Sequence, residues 1–163
     1  RATALAAARI AGQAGEDPGL AFVAGLLHDL GRSLLDAFAR NSSAAERPRA
    51  ATLAQLSDGL HPALGATLLE RWGVPTEATL AVEHHHQPPP AVPASVRRLT
   101  RVLRAADLFA RLLLGPDPAP RPGPLARELE GHVRHLALEP DVHLIDALHQ
   151  EAQMWAELTR HPG

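Results

Sequence analysis

The 163-residue chain contains no cysteine and no lysine, and each absence narrows the chemistry open to it. Without cysteine there are no disulfides, thiolate metal ligands or cysteine nucleophiles, which argues against a structural zinc site and fits an expected cytoplasmic location. All 16 basic residues are arginine, so no lysine can act as a nucleophile, Schiff base or phosphate-binding group.

Aromatic residues and long apolar runs are also scarce. Aromatics make up only 3% of the chain while apolar residues reach 45%, which indicates a globular domain whose helices pack through small and branched side chains. Its longest apolar runs fall short of the ~18–20 residues that a membrane helix needs, so no membrane partner is expected. The formal net charge is −2 with interspersed signs, so no nucleic-acid partner is expected either.

Apolar residues recur at helical spacing, and no segment alternates in the manner of a strand. The sequence therefore predicts an all-α, single-domain bundle of about seven helices. We expect helices over residues 2–14, over 20–39 with a bend at Gly31, from 44 to a break at Asp58-Gly59, from His61-Pro62 to Gly73, from a Thr76 cap to His86, from a Ser95 cap to Leu114, over 125–138 and over 141–160.

The segment 115–124 is rich in proline and glycine and is the only low-complexity stretch. It predicts a linker between a helical core at residues 1–114 and C-terminal helices at 125–163 that pack on the same domain. The chain starts in the middle of a helical pattern, which we interpret as the boundary of a fragment.

A set of polar residues interrupts these apolar helices, and all of them are metal-ligand types: His28, Asp29, His61, His85, His86 and Asp107. Adjacent helical residues point about 100° apart, so His28 and Asp29 can serve two ions, or one ion and its water. Imidazole suits iron, zinc, nickel or manganese, and carboxylate suits manganese, magnesium or iron, so the sequence predicts one or more divalent ions without distinguishing them. Two ions bridged by a carboxylate would acidify a bound water and hold a phosphate.

Taken singly, each of these residues also has a structural explanation. A histidine on an apolar helix is often a hydrogen-bonded core residue, the run His84–His86 can be solvated surface, and Asp107 can be a cap or pair with Arg104 or Arg111. Surface or packing roles are expected for the remaining histidines, which are His132, His135, His143, His149 and His161. We interpret Trp72, Met154 and Trp155 as core or interface residues.

Three segments in order resemble the HDOD domain, a relative of the HD metal-dependent phosphohydrolases: AFVAGLLHDLGRSLL, LHPALGATLLERWGVP and LAVEHHHQP. The resemblance spans roughly residues 20–110. It implies an HD-like helical fold and a place in bacterial signalling proteins, often beside receiver, diguanylate cyclase or EAL-type modules. It also implies ligand roles for the HD pair His28–Asp29, for His61 opening the second segment, for His85 and His86, and for Asp107 within AADLFA.

The chain departs from the related HD-GYP phosphodiesterases of cyclic di-GMP. No histidine precedes His28, Arg32 stands where those enzymes have a lysine, and HHHQPPP replaces their longer signature. We therefore favour a regulatory HDOD output domain that retains a metal site and binds signalling domains, other proteins or a nucleotide. The alternative is an active metal-dependent phosphohydrolase of nucleotides or cyclic dinucleotides, with Asp29 and Arg32 as catalytic residues; a third reading is a helical adaptor without metal.

Overall fold

The computed structural model describes residues 2–43, 50–86, 91–114 and 124–136 of the chain. These residues form helices and contain no strand, which confirms the all-α prediction. The helices within the described ranges are α1 (Ala2–Gln13), α2 (Pro18–Leu27), α3 (Leu30–Asn41), α4 (Ala50–Arg71), α5 (Thr76–Glu83), α6 (Ala94–Leu114) and α7 (Pro124–His135). None of these helices combines the length and hydrophobicity needed to cross a bilayer.

The hydrophobic core lies between α1, α2, α5 and α6, with α4 closing one side. Its fully buried members include Ile10, Leu69, Val82 and Leu103, one from each of α1, α4, α5 and α6. α6 packs against α1, α5 and α7, and α3 packs against α4. Removing these side chains from water is the main stabilising contribution that this fold receives.

Two glycines allow helices to approach more closely than any other residue would permit. A Cβ at Gly25 would lie 2.8 Å from the Cα of Ala4, and one at Gly31 would lie 2.0 Å from the carbonyl oxygen of His61. Gly31 therefore brings α3 into direct backbone contact with α4 at the level of His61.

The structure corrects the prediction of one helix over residues 20–39 with a bend at Gly31. The break comes earlier, at His28 and Asp29, and Gly31 lies inside α3. α2 begins at Pro18 because the Asp17 side chain accepts hydrogen bonds from the amides of Gly19 and Leu20. The two helices are thus separate elements, and the turn between them carries the HD pair.

The predicted break at Asp58-Gly59 and the helix start at His61-Pro62 are also wrong. α4 runs without interruption from Ala50 to Arg71, with Pro62 in its interior. An internal proline removes one backbone hydrogen bond and costs about 3 kcal/mol. Burial of Ala66 and Leu69 in the core offsets this cost, so packing overrides the local signal.

The remaining boundaries differ in detail. α5 starts at Thr76 with Pro75 at the cap position, and the Ser95 hydroxyl, predicted to cap α6, instead donates to Glu77. Trp72, predicted in a core or an interface, is 58% exposed.

Several predicted features lie outside the described residues. They are the start of the helix at 44–49, the linker at 115–123, the helix over 141–160, and Met154 and Trp155. The division into core, linker and C-terminal helices stays a prediction, although α7 does pack on α6.

Candidate metal centre

Four side chains from three separate elements converge on one point. Asp29 comes from the α2–α3 turn, His61 from the middle of α4, and His85 and His86 from the turn after α5. Each offers one ligand atom, and the four atoms lie within 4.8 Å of one another. His61 Nε2 lies 3.3 Å from His85 Nε2, 3.0 Å from His86 Nε2 and 3.4 Å from Asp29 Oδ1.

Main-chain carbonyls fix the orientation of two of these imidazoles. Nδ1 of His61 lies 2.5 Å from the Ser57 carbonyl oxygen, and Nδ1 of His85 lies 2.6 Å from that of Val82. A carbonyl can only accept, so Nδ1 carries the hydrogen in both rings, and each neutral ring turns the lone pair of Nε2 toward the other. The same hydrogen bond from the far nitrogen orients histidine ligands in metalloproteins.

The three converging histidines are held in the neutral form. Burial lowers the pKa of His85 to about 3, since it disfavours the charged ring and the neighbouring histidines add to that effect. Burial also lowers the pKa of His61 and of His86. Neutral imidazole is the form that binds a metal ion, so no proton has to be displaced from these rings at neutral pH.

His28 and Asp107 lie beside this cluster and form an ion pair next to Asp29. His28 Nε2 is 3.3 Å from Asp29 Oδ2 and 3.5 Å from Asp107 Oδ1, and Arg111 holds the other oxygen of Asp107 at 2.9 Å. Burial acts to lower the pKa of His28, but the carboxylates of Asp107 and Asp29 outweigh it and raise that pKa to about 9. His28 is therefore a cation at neutral pH in the metal-free protein.

The Asp29 carboxylate faces the histidines instead of capping the helix that it begins. Asp29 occupies the N-cap position of α3 but makes no side-chain capping bond. Burial acts to raise its pKa, yet His28 and Arg32 together lower it, so Asp29 stays ionised. Its side chain is 42% exposed, which makes it the accessible side of the cluster.

Arg32 borders this accessible side and makes two carboxylate contacts. Its Nε lies 3.1 Å from Asp29 Oδ1, and its Nη1 lies 2.8 Å from Asp58 Oδ1 on α4. Asp58 is highly exposed, so its pair with Arg32 is readily exchanged for another anion.

Comparison with known proteins identifies the family. The family model for the HDOD domain matches residues 1–88, more than half of the chain. The chain belongs to the HDOD family. The match includes His28, Asp29, His61, His85 and His86, whereas Asp107 and the rest of α6 follow it.

The HDOD domain is also similar to parts of longer curated proteins. It is 32% identical over 133 residues to Ribonuclease Y of Thermus thermophilus, covering 80% of this chain and 17% of that protein. It is 30% identical over 129 residues to Ribonuclease Y of Deinococcus radiodurans, covering 78% of this chain and 17% of that protein. The chain thus spans about a sixth of these relatives' length. No solved structure matches it.

All six predicted metal-site residues of the HDOD domain lie together in the fold. Four form the donor cluster, His28 contacts it at Asp29, and Asp107 contacts His28. The alternative explanation for Asp107 is also observed, because Arg111 pairs with it. His84, the first residue of the histidine run, is not part of the cluster.

Sequence reasoning missed the roles of two residues around the centre, Asp58 and Arg104. Asp58 contacts Arg32, and Arg104 contacts both the His85 carbonyl and His132, which had been assigned to surface or packing. Each of these contacts joins residues 19–28 positions apart on different helices, so no local pattern indicates them.

The donor set fits a divalent metal ion. Three neutral imidazoles and one carboxylate are nitrogen and oxygen ligands of the kind that transition metals bind. The buried Nε2 of His28 has no hydrogen-bond partner of normal geometry, although two carboxylates lie within 3.5 Å. Polar side chains buried this close together are costly in a fold unless their charges and lone pairs are balanced, which a bound cation would do.

Proposed function

We propose that this HDOD domain is a regulatory module of a bacterial signalling protein and that it binds a divalent metal ion through Asp29, His61, His85 and His86. One observation carries the proposal. The Nε2 atoms of His61 and His85 face each other at 3.3 Å while both Nδ1 atoms are engaged with the main chain. Two lone pairs in that arrangement repel unless a cation lies between them.

The ligand chemistry favours some ions over others. Magnesium prefers an all-oxygen environment and keeps several waters, whereas three imidazoles suit zinc, iron, nickel or manganese. We therefore propose a transition-metal ion for the four-donor cluster. His28 and Asp107 complete the proposed set of six ligands, and a second ion at Asp29 Oδ2 would have to displace the proton that His28 carries.

The regulatory role follows from what the sequence keeps and what it lacks. The metal-site residues are present, but Arg32 replaces the lysine and HHHQPPP replaces the signature of the HD-GYP enzymes. A module of this kind would act through other signalling domains or proteins, or through a bound nucleotide, in the cytoplasm. The partner would then bind the metal-loaded and the metal-free domain differently.

A second candidate function is metal-dependent phosphohydrolysis. The half-exposed Asp29, with Arg32 beside it, leaves the cluster accessible on one side, and the similarity to Ribonuclease Y adds support. When bound, a divalent ion would acidify a water and polarise a phosphate. Arg32 would bind a phosphate oxygen through its guanidinium group after exchanging Asp58 for the ligand, and Asp29 would keep its carboxylate on the cluster.

Metal analysis of the purified protein tests the primary proposal. We expect about one equivalent of transition metal per chain by inductively coupled plasma mass spectrometry after purification without added metal. Asp29→Asn and His61→Gln should each lose most of it. His84→Gln is the matched control, because His84 belongs to the same histidine run but lies outside the cluster, and it should retain the metal.

The same preparations separate the candidate functions. Metal retained without turnover of a generic phosphodiester in manganese supports the regulatory module. Turnover that Asp29→Asn and Arg32→Gln abolish supports the hydrolase instead. If the wild-type protein binds no transition metal, both candidate functions are contradicted and the helical adaptor without metal is supported.

A further inference from the structure

Arg104 on α6 contacts the metal centre and the last described helix at the same time. Its Nη1 donates to the carbonyl oxygen of His85 at 3.3 Å, and its Nε donates to Nε2 of His132 at 3.1 Å. His132 belongs to α7, which lies after the HDOD match ends at residue 88. A single guanidinium group therefore bridges the histidine turn after α5 and helix α7.

The contact at His85 is placed where it affects two donors. The His85 carbonyl belongs to the peptide unit that joins His85 to His86, and both residues supply Nε2 atoms to the cluster. A peptide plane moves as a rigid unit. Rotation of this plane would therefore turn both imidazoles away from His61, and a charge-assisted hydrogen bond from Arg104 opposes that rotation.

The contact at His132 ties the position of Arg104 to the docking of α7. Val133 and Leu136, next to His132 in space and sequence, are buried, so α7 is seated on the core at this point. The planar fork of arginine lets Nε and Nη1 donate in different directions at once. Displacement of α7 would remove the His132 acceptor and so weaken the constraint on the Arg104 side chain.

We propose that Arg104 is a positioning residue that couples the docking of α7 to the metal affinity of the cluster. This inference rests on the metal site proposed above. Coupling between two sites is reciprocal, so docked α7 strengthens metal binding and bound metal stabilises docked α7 to the same extent. A segment beyond α7 that pulled on this helix would thereby change the occupancy of the site.

Cobalt binding measures the first half of the coupling, because Co²⁺ reports its ligand geometry in its visible spectrum. Replacing a residue that orients a ligand typically weakens metal affinity roughly 10- to 100-fold. We expect Arg104→Gln to weaken Co²⁺ binding about tenfold and to change the spectrum, and His132→Leu to change both in the same direction by less. Arg101→Gln on α6 and the exposed His135→Leu on α7 are matched controls and should behave as wild type.

Amide hydrogen exchange measures the second half of the coupling, which is the effect of bound metal on the docking of α7. Saturating Co²⁺ should slow amide exchange across residues 124–136 in wild type, and this protection should disappear in Arg104→Gln. Wild-type Co²⁺ affinity and spectrum in both variants, with exchange in α7 indifferent to the metal, would overturn the coupling. If Arg104→Gln fails to fold by circular dichroism, His132→Leu carries the same test.

The experiments distinguish failure of the proposed metal site from failure of the proposed role of Arg104. Wild-type protein that does not bind Co²⁺ at all overturns the proposed metal site. Wild-type binding that the two variants leave unchanged overturns only the role of Arg104.

Discussion

Asp29 is the residue on which the centre depends most, since both of its oxygens are engaged. Oδ1 faces His61 and Arg32, and Oδ2 faces His28. A residue at a helix N-cap normally accepts a hydrogen bond from the helix it begins, which is worth about 1 kcal/mol. The absence of that bond is the kind of departure from a local rule that is expected at a functional site, and it agrees with the candidate role of Asp29.

The charge of His28 sets the pH dependence of the metal-free protein. The pKa of His28 is about 9 in the folded state and 6.5 in its unperturbed form. The contribution of His28 to the stability of the folded protein is therefore complete below pH 6.5 and is lost as the pH rises from 6.5 to 9. His85 acts in the opposite window, because its folded pKa of about 3 means that stability falls as the pH drops below 6.5. In EDTA we expect thermal stability to peak near pH 6.5.

Thermal unfolding followed by circular dichroism across roughly pH 4–9 checks this expectation. The decline above pH 6.5 should be absent from His28→Gln. A wild-type profile that is flat from pH 6.5 to 9 contradicts the assigned charge of His28.

At the scale of the helices, the centre depends on how closely α3 approaches α4. Gly31 lies against the His61 carbonyl, and a Cβ added at Gly65, one turn after His61, would lie 3.5 Å from the Gly31 nitrogen. The two backbones can approach to this distance because neither position carries a side chain. This contact sets the separation between Asp29, at the start of α3, and His61.

Gly31→Ala should therefore damage both stability and metal binding. Its methyl group would lie 2.0 Å from the His61 carbonyl oxygen, so the helices must separate. We expect a loss of about 1–3 kcal/mol in urea unfolding, together with weaker metal binding. Gly59→Ala is the matched control on α4, because nothing lies within 4 Å of its added methyl, and it should stabilise by about 0.5–1 kcal/mol. Equal effects of the two substitutions would contradict the close approach.

The sequence predicts that helices form more reliably than it predicts where some of them begin and end. Apolar spacing predicts that helices form, and the bounds of α1 follow closely. Local breakers misplace the boundaries of α2, α3 and α4, because Pro62 and Gly59 are absorbed into α4 while the real break falls at the HD pair. The six candidate ligands were found because a polar residue on an apolar helix stands out. Arg104 and Asp58 were missed because arginine and aspartate are ordinary on a helix surface, and only tertiary packing brings them to the centre.

At the scale of the molecule, the proposed metal ion would join parts of the chain that are far apart in sequence. Its ligands come from the α2–α3 turn, from α4 and from the turn after α5. A ligand that binds only the folded state stabilises it by about 2.7 kcal/mol at a free concentration 100 times its dissociation constant. Because the site does not exist in the unfolded chain, this stabilisation applies to the fold as a whole.

Metal removal should accordingly lower the melting temperature. For a chain of this size we expect a fall of roughly 5–10 °C on treatment with EDTA, followed by differential scanning calorimetry. Zn²⁺ or Mn²⁺ should restore the original value in wild type and in His84→Gln, but not in Asp29→Asn. Identical melting temperatures with and without chelator in the wild type would contradict a metal bound by the folded state.

The match to the family model covers fewer residues of this chain than the hydrophobic core does, because α6 contributes to that core. The match to the family model ends at residue 88, yet Val102, Leu103 and Ala106 of the later helix are completely buried, and that helix packs on α1 and α5. The matched segment of this chain is therefore smaller than the unit that packs around its hydrophobic core. Without α6, the segment 1–88 would expose to water the faces of α1 and α5 that this helix covers.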